Sequence, residues 1–230
     1  MAVSPYPAIE AFSVVSELAR SRSAIYGFLS LAFAGPLAPA ELEALRSPVF
    51  LEGFGALLDG SDETAFLSLT TLPEPELALG LGCEFTRLFR APGPGYVPPY
   101  ESVYRDEWVI PGLKRVRGLL WGESTVAVQK TYREAGFPHD KVGKVGSEPP
   151  DHIALEFGFA AFCAAGEVDP SHGKEWSDRR RRFLDEHLLA WAPGFLTRVR
   201  HASPDGLYGL IAGVAAGFLE DEAKGEHASK

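Results

Sequence analysis

The sequence predicts an all-α fold, and three observations carry the prediction. Apolar residues recur at steps of three and four through most of the chain. Alternating β-type patterning is nearly absent, and proline, glycine and capping residues interrupt the apolar runs at helix-length intervals. The pattern divides into about nine to eleven helices of one globular domain over 1–220, with 221–230 a frayed tail.

The elements follow in order. From Ile9 to Ala34, Phe12, Val15, Leu18, Ala19, Ile25, Phe28, Leu29 and Ala32 share helical spacings, and Gly35-Pro36 stops the run. Pro39 to Leu45 and Val49 to Leu58 read as short helices, the second opened by Pro48. Asp62 is placed to cap another through Leu69. Pro73 and Pro75 open a longer helix with Leu77, Leu81, Phe85, Leu88 and Phe89 along one side. Arg90 to Tyr100 then holds four prolines and two glycines in eleven residues, which excludes a helix or a central strand. A long irregular segment of this kind in a compact domain is functional or disordered. Val103 to Leu120 is ambiguous around a Pro111-Gly112 turn.

Ser124 is placed to cap a helix reaching Ala135, with Gly136 as its left-handed stop. Phe137 to Pro150 is a polar loop, and Asp151 is placed to cap a helix to Ala165. Asp169-Pro170 starts a charged helix through Trp191, Pro193 a short one to His201, and Ser203-Pro204 a last one to about Glu220.

Composition narrows the function. The 230 residues carry a net charge of −9, which argues against a nucleic-acid binder and against docking on an anionic membrane. A basic partner is compatible with it. With 46% apolar and 23% charged residues the chain is globular. Cys83 and Cys163 form no CxxC, which fits a reducing compartment. The N-terminus lacks a basic region and an apolar core of the signal-peptide kind, and no unbroken apolar run is long enough to span a bilayer. The expectation is a soluble cytoplasmic protein.

No familiar catalytic arrangement emerges. The six histidines include no H-E-x-x-H and no Cys/His set at zinc spacing, so no metal and no cofactor are expected. His139-Asp140 is the kind of dipeptide used by helical metal-dependent phosphohydrolases, which also need an earlier metal-ligand histidine; none precedes His139. That enzyme, and a helical assembly factor with some other partner, are the alternatives. The run Arg179 to Arg182 looks like an export motif, but Asp185, Glu186 and His187 follow it, so it reads as a solvated helix face. In Glu148-Pro149-Pro150-Asp151-His152 the prolines fix an extended entry, and His152 is best served as a neutral hydrogen-bonding group at the mouth of a groove. Phe85, Leu88 and Phe89 pack a core on their periodicity, or else wall an apolar peptide groove.

Together these blocks resemble one family. Glu84-Phe85-Thr86-Arg87-Leu88-Phe89 is similar to its aromatic-x-x-L-F signature, and Pro98-Pro99-Tyr100-Glu101-Ser102-Val103-Tyr104 to its P-x-E/G-S-V-Y block. Leu120-Trp121-Gly122-Glu123-Ser124-Thr125, Glu148 to His152 (its E-P-x-D-H motif) and Phe183 with His187-Leu188 and Trp191 follow in the family's order. Arg90-Ala91-Pro92-Gly93 departs from the Gly-Pro often found after L-F. The chain thus resembles the TorD/DmsD/NarJ-type redox-enzyme maturation chaperones. The resemblance implies a non-enzymatic cytoplasmic chaperone, monomeric or a domain-swapped dimer. Its partner would be a molybdopterin-dependent oxidoreductase, bound by its twin-arginine signal peptide or in its apo form, held until cofactor insertion and kept from premature export. It also implies that Phe85, Leu88, Phe89, Gly122, Asp151 and His152 line the client site, with Tyr100, Ser102 and Tyr104 in supporting positions.

Overall fold

The computed structural model describes residues 7–109 and 116–227, and side-chain surroundings for 16–109 and 116–225. The side chains of Phe12 and Val15, and the Pro111-Gly112 turn, lie outside the described residues.

The helical prediction holds. Helices α1 (Pro7–Ala34), α2 (Pro39–Leu45), α3 (Pro48–Gly55), α4 (Gly60–Thr70) and α5 (Glu74–Phe85) form the first half. The second half comprises α6 (Glu101–Arg105), α7 (Glu123–Ala135), α8 (Ile153–Gly166), α9 (Gly173–Phe183), α10 (Leu189–Ala202) and α11 (Leu207–His227). The ambiguous stretch supplies a two-residue antiparallel ladder, β1 (Glu107–Trp108) against β2 (Val116–Arg117).

The hub is α8. Its sequence is apolar on every side, as a fully enclosed helix requires, and it is buried along nearly its whole length. Helix α1 lies along it, while α10 and α11 pair beside them. Phe33 of α1 joins the halves, with ring centroids 5.7 Å from Phe89, 6.0 Å from Phe157 and 5.6 Å from Phe195. Both cysteines are free; burial pushes the Cys163 thiol up to about 12.

Several local expectations are corrected. Asp62 lies inside the first turn of α4 rather than at its cap, and its carboxylate binds Arg200 at 2.6 Å. Pro193 does not start a helix. It sits within α10, which follows α9 through a wide π turn at Leu184–Leu188. That turn ends beside Leu189, the residue whose carbonyl a helical Pro193 leaves without its usual donor. The arginine run is not uniformly solvated. Arg180 is buried, with its guanidinium 2.6 Å from Glu167 and also paired to Glu222. Glu222 accepts as well from Arg22 at 2.7 Å and from the Tyr26 hydroxyl at 3.0 Å, so one ion network ties α1, the end of α8, α9 and α11 together. Helix α11 continues past Glu220 to His227. Leu18 and Ile25, assigned to the buried side of α1, are exposed.

Candidate functional site

Two stretches far apart in sequence meet in one junction. Tyr100 and His152 form an isolated antiparallel bridge. Around it the Ile153 N–H donates to Pro99 O at 2.9 Å, and the Glu101 N–H to Asp151 O at 3.0 Å. The Tyr100 hydroxyl donates to Glu148 at 2.9 Å, and its ring stands edge-on to the His152 imidazole at 5.2 Å. Prolines on both strands, Pro98-Pro99 and Pro149-Pro150, favour the extended backbone that such a bridge needs.

Of the two residues that follow Pro150, His152 takes the cap expected of Asp151. Asp151 does not cap α8. His152 is the N-cap, with Nδ1 accepting from the Ala154 N–H at 3.1 Å. The carboxylate of Asp151 turns across the junction and accepts the Ser102 N–H at 2.9 Å, capping the start of α6. Because Nδ1 of His152 accepts, the ring proton lies on Nε2. Burial, with a smaller contribution from the Arg90 guanidinium, lowers the imidazole to about 3. The ring is therefore neutral, as read from the sequence, but it is enclosed rather than placed at an open groove mouth.

Beneath the junction lies a buried polar centre. The Glu101 carboxylate is 3.1 Å from His187 Nδ1 and is paired with Arg105. Arg105 also donates to Glu186 O at 2.6 Å. The Trp191 indole N–H donates to Glu156 at 2.9 Å. Burial, then the nearby Glu101 charge, pushes the Glu156 carboxyl well above the usual carboxylate range. Ser102 Oγ, Thr125 Oγ1 and Tyr132 OH are buried here with no hydrogen-bond partner in the protein. A core selected for stability alone would fill this space with apolar side chains. Glu156 escaped the sequence reading, although one signal was available: it is a lone carboxylate in the apolar run Ile153–Cys163.

Gly122 has a mechanical role. It is the N-cap of α7, and the cap expected of Ser124 comes instead from Asp106. Asp106 accepts the Ser124 N–H at 3.0 Å and the Ser124 hydroxyl at 2.6 Å. A β-carbon on Gly122 would lie 1.8 Å from Asp106 Oδ2. Before it, exposed Trp121 holds a left-handed φ of 66°.

Phe85, Leu88 and Phe89 are core residues in this structure. Phe85 and Phe89 pack at 5.1 Å, and their rings lie 5.5 and 5.7 Å from Tyr208. The helix does not stop at Phe85 but widens into a π turn at Thr86–Arg90, which carries Leu88 and Phe89 inward. The Pro/Gly loop is anchored at its far end by Val97, which is buried and donates its N–H to Leu88 O at 2.7 Å. Tyr104 is half-buried, 5.3 Å from Trp191, with the Arg198 guanidinium 5.6 Å from its ring. The structure thus brings Tyr100, Ser102, Asp151 and His152 into one contact set and places Gly122 across α6 through Asp106. His139 lies in a short 3₁₀ turn, 5.5 Å from the Tyr132 ring, and no group of three His, Cys, Asp or Glu among the described residues is placed to hold a metal.

Comparison with known proteins covers both sides of this junction. The sequence model of the nitrate reductase delta subunit family matches residues 54–197. A chaperone protein TorD of Vibrio cholerae serotype O1 is 28% identical over 214 residues, 89% of this chain and 91% of its own length. A protein of the same name from a Psychrobacter species is 27% identical over 188 residues, 79% of this chain and 80% of its own. Another from Aeromonas salmonicida is 30% identical over 155 residues, 66% of this chain and 63% of its own.

Proposed function

Since the chain belongs to the nitrate reductase delta subunit family, the TorD/DmsD/NarJ-type redox-enzyme maturation chaperones, we propose that it is a cytoplasmic maturation chaperone for a molybdopterin-dependent oxidoreductase. Its client is bound by the twin-arginine signal peptide, by the body of the apoenzyme, or by both. The observation that carries this reading is the extent of the likeness to proteins named as chaperones, which runs over 214 residues and through both strands of the Tyr100–His152 junction.

In this reading the protein binds and holds rather than reacts. Tyr100 and Tyr104, both part-exposed, and exposed Trp121 stand nearest to solvent, with Gly122 buried behind Trp121. His152, with Asp151 and Ser102, fixes the Tyr100 strand from beneath, while Phe85, Leu88 and Phe89 are buried in the core. The −9 charge draws an arginine-bearing segment at ranges near the Debye length, about 8 Å at physiological salt. Apolar contact supplies most of the affinity.

The test is titration of the full chain with a twin-arginine peptide and, separately, with the apoenzyme of a molybdopterin-dependent oxidoreductase. Saturable binding to either supports the reading, and no binding to both overturns it. Asp151→Ala with His152→Ala is expected to weaken client binding or maturation while circular dichroism stays helical. An unfolded double variant would instead assign these residues to holding α6 and α8.

A further inference from the structure

Two wide turns lie far apart in the chain, and one short segment reaches both. The π turn Thr86–Arg90 is closed by the Ala91 N–H on Thr86 O at 2.8 Å, and the π turn Leu184–Leu188 by the Leu189 N–H on Leu184 O. Residues 97–105 touch the first turn at one end and the second at the other. The Val97 N–H donates to Leu88 O at 2.7 Å, inside the first turn. Arg105 donates to Glu186 O at 2.6 Å, inside the second, and Glu101 lies 3.1 Å from His187 Nδ1 in the same turn.

The segment is fastened at intervals along its length. Residues 91–95 ahead of it are exposed, whereas Val97, Glu101 and Ser102 are buried. The Tyr100 hydroxyl and the guanidinium of Arg90, the last residue of the first turn, meet on the Glu148 carboxylate at 2.9 and 3.9 Å. Tyr104 packs 5.3 Å from Trp191, just beyond the second turn. A π turn is rare and holds one residue more than the α turn it replaces. Closing either one to α geometry rotates the flanking side chains by about 100° relative to one another. That rotation would take Leu88 O off Val97 in the first turn, or His187 off Glu101 in the second, so each turn and the segment hold one another in place.

We propose that 97–105 is a conformational strap. Seated, it holds both π turns; lifted, it releases both together, so the strap and the two turns open as one unit while the rest of the fold stays closed. Coupling between the turns then runs along the strap and is reciprocal: a change at either end is felt at the other. Part-exposed Tyr100 and Tyr104 belong to the strap, so a contact made on them reaches both turns. The device stands whether or not the chaperone reading does.

The test is amide hydrogen exchange of the full chain under native conditions, read residue by residue. Arg105→Met removes the donor to Glu186 O at one end of the strap, and Val97→Ala loosens the other end. Arg105→Met is expected to speed exchange about tenfold at Ala91 and Val97, in and beside the distant turn, and at Glu101 and Ser102 of the strap. Val97→Ala is expected to do the same at Leu189, Glu101 and Ser102. Amides of Phe159 to Cys163 in α8 are expected to keep their wild-type rates in both. Acceleration confined to the turn nearest each substitution overturns the proposal. Acceleration of both turns with Glu101 and Ser102 unchanged overturns it too, and routes the coupling through the direct contact of Phe89 with Phe195 at 6.1 Å. Equal acceleration in α8 would mean global opening, and it also overturns the proposal. If Arg105→Met fails to fold, Val97→Ala decides alone: faster exchange at Leu189, Glu101 and Ser102 supports the strap, and unchanged exchange at Leu189 overturns it.

Discussion

The carboxylate of Asp106 occupies the space that a β-carbon on Gly122 would need, 1.8 Å from Oδ2, and from there it caps α7 through the N–H and hydroxyl of Ser124. Gly122→Ala is therefore expected to expel Asp106 and cost about 1–2 kcal/mol, the usual worth of a lost cap. Asp106→Ala alone is expected to cost a similar amount. In the double variant the two losses do not add, because the clash and the cap involve the same carboxylate. Urea denaturation of the four proteins measures this; strict additivity would show that Gly122 matters for some other reason.

His152 makes stability depend on pH in a definite direction. The unfolded imidazole takes up a proton below about 6.5, whereas the folded one stays neutral down to about 3. Between those values the unfolded state binds more protons, so stability falls on acidification by up to about 1.4 kcal/mol per pH unit. Glu156 acts the other way. Its carboxyl is raised in the folded state, so its contribution is present in acid and is lost as pH rises towards the folded value. His152→Asn keeps an acceptor for the Ala154 N–H and removes the titration. Urea midpoints of wild type and variant, followed from about pH 7 to about pH 4, should diverge on the acid side. Parallel curves would remove His152 as the source.

Arg180 is buried between Glu167 and Glu222 and links three helices through charges that have no water to fall back on. Arg180→Ala leaves buried Glu167 without its cation and Glu222 with Arg22 alone, and is expected to cost about 3–5 kcal/mol. Arg180→Met combined with Glu167→Gln and Glu222→Gln removes the charges together and should recover most of that loss. Thermal or urea unfolding reads both; a mild effect of Arg180→Ala would mean that solvent enters the network.

Legibility in the sequence followed the range of the forces involved. Helix α2 and the Gly136 stop of α7 were readable because proline, periodicity and a left-handed glycine act within a few residues. The aromatic-x-x-L-F, P-P-Y-E-S and E-P-P-D-H blocks were readable as a set, yet their partnership was not. Nothing local says that the Asp151 side chain serves Ser102, so it was assigned to the adjacent helix start. Arg180 escaped for the same reason: in sequence it is one of four arginines, and only α8 and α11 packing against α9 singles it out. Pro193 misled because a wide turn upstream absorbed its missing donor.

Three helix starts are completed by carboxylates from elsewhere in the chain: Asp151 serves α6, Asp106 serves α7, and Glu84 accepts the Tyr208 N–H of α11 at 3.2 Å. Gly206, like Gly122, leaves room for the incoming acid. The consequence concerns the order of assembly. Helical proteins generally fold fast because their contacts are local, but here α6 gains its cap only after Asp151 has been synthesised and brought back, and α11 is capped only on docking against α5. Nascent chains that end before the E-P-P-D-H block would hold an α6 with an open start, and the last helix would register only on a first half already in place. The starts of α6 and α11 are thus completed by docking against distant segments, whereas α7 takes its cap from Asp106 within the same stretch of chain.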